Sequence, residues 1–269
     1  MVGVCMKLGC ASYSYHRMFE SKKIDWPGFL ERAWKMNLDG VEVNSLFMPR
    51  DKQVATDIKR RAIKLGLDLY ALTLDINLCE PTVAKREKAV DAVKGWIDIA
   101  ALLGAPAMRV DLGWTPKGHK DEEAIKWAIQ SYKKCVSYAK TKAIVLTIEN
   151  HYGLSASAGR VTEIIERVGT DWFGLTLDTM NYGNGPEAYD QISKTAKYAV
   201  YVHAKTHRLE AGKGDQPKWV EVDIDYDKIM EVLRGIGYEG YLSIEYEGEE
   251  DEEAAVPKSA EFIKSLLHR

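Results

Sequence analysis

Short apolar runs alternate along the whole chain with longer stretches whose apolar positions recur every three or four residues. The short runs lie near residues 7–11, 40–44, 68–72, 107–111, 144–149, 172–178, 201–204 and 241–246. Several are apolar almost throughout, the pattern of parallel strands covered on both faces. Between them, Asp25 is placed to cap a helix starting near Trp26, with Pro27 in its first turn and Leu30, Ala33 and Trp34 on one side. A second helix is predicted over about 82–103, carrying Val90, Val93, Ile97 and Leu102, with Gly104 as its stop. Residues 121–140 place Ile125, Ala128, Ile129, Tyr132 and Val136 on one face. Shorter helices are predicted over 162–168 and 226–233, and a last one over roughly 254–267. The acidic run 249–253 reads as a solvated helix start, where carboxylates favour the positive end of the helix.

Eight strand candidates, each followed by a helical stretch, predict an α/β fold, a (β/α)8 TIM barrel. The 269 residues match the roughly 250 typical of one such barrel, so a single domain over 1–269 is expected. The longest irregular connections, 16–24, 74–81, 179–186 and 206–222, follow strands one, three, six and seven. In a barrel they gather on one rim, the rim that binds substrate.

A net charge of −3 offers no basic field for nucleic acid. No run approaches the roughly 20 apolar residues of a membrane span, and no signal-like leader is evident, so a cytoplasmic protein without a membrane partner is expected. Cys5, Cys10, Cys79 and Cys135 lack Cys-x-x-Cys spacing and read as reduced core residues. The stretch KTHRLEAGKGD is not a phosphate-binding loop, so no nucleotide cofactor is inferred.

The chemistry concentrates in Glu149, Asp178, His203 and Glu245. They end or lie in the apolar runs VLTIEN, FGLTLDT, YVHAKT and YLSIEYE. A polar residue at the carboxyl end of a barrel strand lies where such folds keep their active sites. Three carboxylates and one imidazole suit one divalent ion: manganese first, with magnesium, cobalt or zinc as alternatives. Each residue also has a plain structural use, as a helix cap, a loop acceptor, a core histidine or an ion-pair partner. The two glutamates suggest more than metal retention. A divalent ion acidifies the C–H beside a sugar carbonyl, and Glu149 and Glu245 are placed to remove and return that proton as the catalytic pair. Delivery to the opposite face of one carbon inverts it; transfer to its neighbour interconverts aldose and ketose.

The segments LTIENH, GLTLDTMN, YVHAKTH and GYLSIEYEG resemble the xylose-isomerase-like barrel superfamily, especially its sugar-phosphate isomerase/epimerase branch with the tagatose 3-epimerase-like members. The resemblance covers nearly the whole chain. It implies a divalent ion held by Glu149, Asp178, His203 and Glu245, with the two glutamates as the acid–base pair. It implies an isomerase or epimerase of a ketose or related keto-sugar, acting through an enediolate. The superfamily also contains inosose and dehydroshikimate dehydratases and lyases that cleave C-glycosides, so a metal-dependent lyase is the alternative. A catalytically inactive sugar-binding barrel or partner subunit is a third reading. The endonuclease IV branch is a poorer match, because it needs many histidine ligands. This chain has six histidines, and His16, His119 and His268 lack the ligand pattern of that branch. A sugar or cyclitol is the expected partner, and a homo-oligomer is compatible with the family. Around the quartet, Glu42, Arg109, His151, Lys205, His16 and His207 are candidate substrate-binding residues. Trp114 and Tyr15 are candidates for an apolar wall.

Overall fold

The computed structural model describes residues 6–267. Cys5 and His268, named above, lie outside the described residues. Eight parallel strands close into a barrel: β1 (Lys7–Ala11), β2 (Gly40–Asn44), β3 (Asp68–Leu74), β4 (Ala107–Val110), β5 (Val145–Glu149), β6 (Phe173–Asp178), β7 (Ala199–Thr206) and, after a short hairpin, β10 (Tyr241–Tyr246). β10 pairs with β7 on one side and with β1 on the other, which closes the ring. The predicted alternation is therefore a TIM barrel. Its strands are buried almost along their full length because helices cover the outer face and side chains fill the inside.

The helices are α1 (His16–Glu20), α2 (Trp26–Lys35), α3 (Lys52–Leu65), α4 (Val83–Leu103), α5 (Asp121–Lys140), α6 (Ala158–Val168), α7 (Pro186–Thr195), α8 (Tyr226–Gly235) and α9 (Glu252–Leu267). Asp25 caps α2, its side chain accepting from Gly28 N at 2.9 Å. α4 stops at Gly104, whose φ of 81° lies in the left-handed region where a side chain is disfavoured. The connection after β7 is not wholly irregular. It contains an antiparallel hairpin, β8 (Leu209–Ala211) with β9 (Trp219–Glu221). Glu221 anchors it by accepting from the backbone N–H groups of His207 and Arg208 at 2.8 and 3.1 Å. Cys10, Cys79 and Cys135 are free and buried. Among the described residues, no helix is long and apolar enough to cross a membrane.

One expectation fails. The start of α9 is not wholly solvated, because Glu252 is 2% exposed. Its carboxylate accepts from Arg17 N at 3.0 Å, Arg17 Nε at 3.1 Å and Met18 N at 3.0 Å. It thus caps α1 from the far end of the chain, satisfying N–H groups that have no partner inside that helix. Glu252→Ala strands two backbone donors, while the exposed Arg17 guanidinium keeps its bond to Glu250 O at 2.7 Å. We expect a loss of about 2–3 kcal/mol, read as a shifted urea midpoint with an unchanged slope.

Candidate metal centre

The barrel order β10–β7–β6–β5 makes the four strands that carry Glu245, His203, Asp178 and Glu149 consecutive neighbours. Asp178 lies in register with His203, so the two sit side by side. The period of two along each strand then sends the preceding inward positions into a layer beneath: Thr147, Thr176, Tyr201 and Ser243. That layer is polar, and Thr147 and Thr176 share a hydrogen bond of 2.7 Å.

The four side chains are buried, from 0% exposure for Asp178 to 7% for Glu245. One potential ligand atom from each lies within 4.8 Å of all the others. His203 Nδ1 is 2.9 Å from Glu149 Oε1 and 3.4 Å from Glu245 Oε1. Asp178 Oδ1 accepts from Met180 N and Asn181 N, each at 2.7 Å, which fixes its carboxylate. Asp178 Oδ2 and Glu245 Oε2 are buried without an aligned hydrogen bond.

Charge points the same way. Glu42, Glu149, Asp178 and Glu245 bring four buried carboxylates to a space with two buried cations, Arg109 and Lys205. Four minus two leaves two negative charges, which protons on His203 and Asp178 or a bound cation must offset, because removing such charge from water is expensive. The donor set and the excess of buried carboxylates fit one divalent cation, so the group can hold a metal.

Arg109 Nε stands 2.8 Å from Glu149 Oε2, in ion-pair range though its N–H is not aligned as a hydrogen bond. Its Nη1 lies 3.4 Å from Asp75 Oδ1. Lys205 Nζ stands 3.1 Å from Asp178 Oδ2, 3.2 Å from Glu245 Oε2 and 3.2 Å from Glu247 Oε2. It also donates to Asn181 Oδ1 at 3.2 Å. Each glutamate of the pair therefore turns one oxygen to His203 and the other to a buried cation.

Burial drives the Asp178 carboxyl up to about 7; Lys205 opposes this, and Glu245 and Glu149 add to it. Burial also pushes Glu149 upward, but Arg109 and His203 outweigh it and hold that carboxyl well below the usual range. Burial pulls the His203 imidazolium down, yet Glu245, Glu42 and Glu149 outweigh it and raise its affinity for a proton. With its folded value of about 7 above the ordinary 3.8, Asp178 favours the metal-free fold at low pH, and that contribution is lost as pH rises through 7. Cation binding has the opposite sign, because the ligand must release its proton. Asp178 and His203 must both release a proton, so we expect affinity for added zinc or manganese to weaken by at least about tenfold per pH unit below 7, and the metal-induced gain in Tm to be larger at pH 8 than at pH 6. A pH-independent affinity across that window rejects Asp178 and His203 as the ligand pair.

Above the quartet opens a cavity of about 130 Å³, lined by Tyr13, Asn44, Leu46, Asp75, Arg109, Glu149, His151, Glu245 and Glu247. Of the six residues proposed from the sequence to touch substrate, Arg109 and His151 line it. Lys205 lies in the wall behind Glu245. Glu42 lies below the quartet, 1% exposed, and turns to His203 instead of the cavity. His16 stacks on Tyr13 at 4.9 Å between ring centroids, one layer back. His207 lines a separate cavity with Arg208, Asp223 and Glu247. Tyr15 is a core residue, 1% exposed against Phe29, while Trp114 is exposed.

The sequence reading did not single out Tyr13, Asn44, Asp75, Asn181 or Glu247. The signal was present: each lies at the carboxyl end of a barrel strand or within three residues beyond it. Treating every strand end alike, charged or not, would have found them.

Comparison with known proteins follows the geometry. An uncharacterised protein of Methanocaldococcus jannaschii is 22% identical over 244 residues, covering 87% of this chain and 80% of that protein. The crystal structure of a D-tagatose 3-epimerase-like protein superposes with a TM-score of 0.77 at 20% identity, over 98% of this chain and 97% of the other. A probable 3-DHS dehydratase of Bacillus anthracis, involved in petrobactin synthesis, gives 0.69 at 12% identity, over 98% and 99%. At these identities the structural likenesses establish the barrel and nothing finer. A match to the family described as the xylose isomerase-like TIM barrel extends over residues 30–266, and the chain belongs to that family.

Proposed function

We propose that the chain is a divalent-metal-dependent isomerase or epimerase of a ketose or related keto-sugar, acting through an enediolate. The observation that carries this reading is the disposition of Glu149 and Glu245. Both line the cavity, both turn Oε1 toward His203 Nδ1, and each has a buried cation at Oε2. Glu149, Asp178, His203 and Glu245 would hold the ion, manganese in the leading case. When bound, a divalent cation supplies the Lewis acidity that makes a C–H beside a carbonyl acidic. The remaining work falls to the chain. Arg109 stands beside Glu149 Oε2 and Lys205 beside Glu245 Oε2, so each glutamate of the pair is held by a buried cation. The glutamates come from β5 and β10, with β6 and β7 between them, and so approach the cavity from different sides. In an epimerisation the ionised glutamate removes the proton and becomes the acid, while the other, protonated beforehand, delivers its own proton to the opposite face; in an isomerisation the glutamate that took the proton hands it to the adjacent carbon. Arg109 and His151, joined by Tyr13, Asn44 and Asp75, are placed to orient substrate hydroxyls.

The test is a panel of ketohexoses, ketopentoses, inososes and 3-keto-glycosides in deuterated water with manganese, magnesium, cobalt or zinc. Deuterium incorporation with an epimerised or isomerised product supports the proposal. Elimination alone replaces it with a lyase, the chemistry in the name of the dehydratase that shares this barrel. Binding without turnover under every metal replaces it with a sugar-binding or partner-dependent role.

A further inference from the structure

We propose that Glu42 is a positioning residue that fixes the tautomer of His203 and presents Nδ1 as the ligating nitrogen. The inference rests on reading the quartet as a metal centre, and it concerns a residue that neither lines the cavity nor belongs to the quartet.

Glu42 comes from β2, separated from β7 by β1 and β10 in the ring, and its carboxylate reaches inward to the space beneath the quartet. His203 Nε2 lies 3.0 Å from Oε2 and 3.2 Å from Oε1. Oε1 also accepts from Tyr201 OH at 3.1 Å and from Thr73 Oγ1. Oε2 also accepts from Ser243 Oγ at 2.8 Å, and that hydroxyl accepts from Tyr70 OH at 2.6 Å. An ionised carboxylate has about four acceptor sites, and here donors on β3, β7 and β10 fill them. Glu42 is therefore locked and cannot turn toward the cavity.

A fully engaged carboxylate accepts and never donates, so His203 Nε2 must carry the hydrogen. In the neutral ring this leaves the lone pair on Nδ1. Nδ1 faces Glu149 Oε1 and Glu245 Oε1, two further acceptors. A bare lone pair opposite two carboxylate oxygens is repelled, so Nδ1 carries either a second proton or a cation, and a bound metal takes the place of that proton. The opposite tautomer sets the Nε2 lone pair against Glu42 and turns the N–H into the ligand space. Glu42 thus decides which nitrogen is available, as second-layer carboxylates commonly do for metal-binding histidines.

The experiment uses the full chain labelled with 15N-histidine. Zinc affinity is measured by calorimetry, and the His203 ring nitrogens are observed by long-range proton–nitrogen correlation. In the wild type loaded with zinc, Nε2 should carry the hydrogen and Nδ1 should shift on binding. Glu42→Gln, in which the amide can donate as well as accept, should weaken zinc binding about 10–100-fold and mix the tautomers. Glu42→Asp keeps the charge but shortens the reach, and should lose affinity in the same range. If Glu42→Gln does not fold, Glu42→Asp alone decides. Unchanged affinity and an unchanged tautomer in the variants overturn the proposal while leaving the metal centre standing. Wild-type affinity in Glu42→Asp beside a loss in Glu42→Gln also overturns it, since charge alone would then account for the effect. A wild-type chain that binds no divalent ion overturns both readings together.

Discussion

Glu149→Gln and Glu245→Gln are each expected to lower turnover and substrate proton exchange by about 10²–10⁴-fold, the range supplied by a positioned acid or base. Glutamine keeps the volume and one acceptor oxygen but cannot take a proton. At Glu149 it also sets a neutral amide beside Arg109, whose Nε lies 2.8 Å from Oε2 in the native protein. At Glu245 it removes one of the three carboxylates around Lys205. Because either change can weaken cation binding, occupancy is to be measured by elemental analysis on the same samples. A double variant that is fully loaded and still exchanges protons at the native rate assigns the chemistry to another base.

The second large effect concerns the ligands that are not bases in this scheme. His203→Ala should reduce divalent-cation affinity by more than about 100-fold, beyond the loss expected for a supporting residue. It also leaves Glu42 buried opposite an empty space. Leaving a buried carboxylate short of one donor costs about 1–3 kcal/mol or more, so a lower Tm should accompany the lost binding. Asp178→Asn separates the two effects. Its oxygen can still accept from Met180 N and Asn181 N, so the loop after β6 keeps its anchor. Its amide then faces Lys205 with a donor where the native oxygen stands 3.1 Å away. We expect a folded protein with sharply reduced cation affinity. Native metal binding in both variants would reject the site.

The sequence and the structure part company at instructive places. α3 and α7 bury mostly small side chains, Ala55, Ile58 and Ala62 in one and Ala188, Ile192 and Thr195 in the other. Such faces leave a faint apolar period in the sequence, and neither helix was delimited from it. The strands of the β8–β9 hairpin are three residues each, too short to alternate visibly, and Glu221 pins them from the side. β7 begins two residues earlier than expected and runs two residues further, to Thr206, because pairing with β10 continues through Thr206 opposite Tyr246.

What the sequence determined by itself is whatever depends on neighbours along the chain. Strand–helix alternation, the capping role of Asp25, the stop at Gly104 and the placing of Glu149, Asp178, His203 and Glu245 at or near strand ends are of this kind. Each follows from local periodicity, local backbone chemistry or a position at a strand's end. What only the tertiary structure decided is which charge meets which. Arg109 is paired with Glu149, Lys205 with Asp178 and Glu245, Glu42 with His203, and Glu252 with Arg17 across 235 positions. An ionised side chain looks the same in sequence whether it faces water, a substrate or another charge. Its partner is set by ring closure, which brings β2 within reach of β7 and α9 against α1, and the desolvation that makes each pairing matter exists only once the barrel has closed.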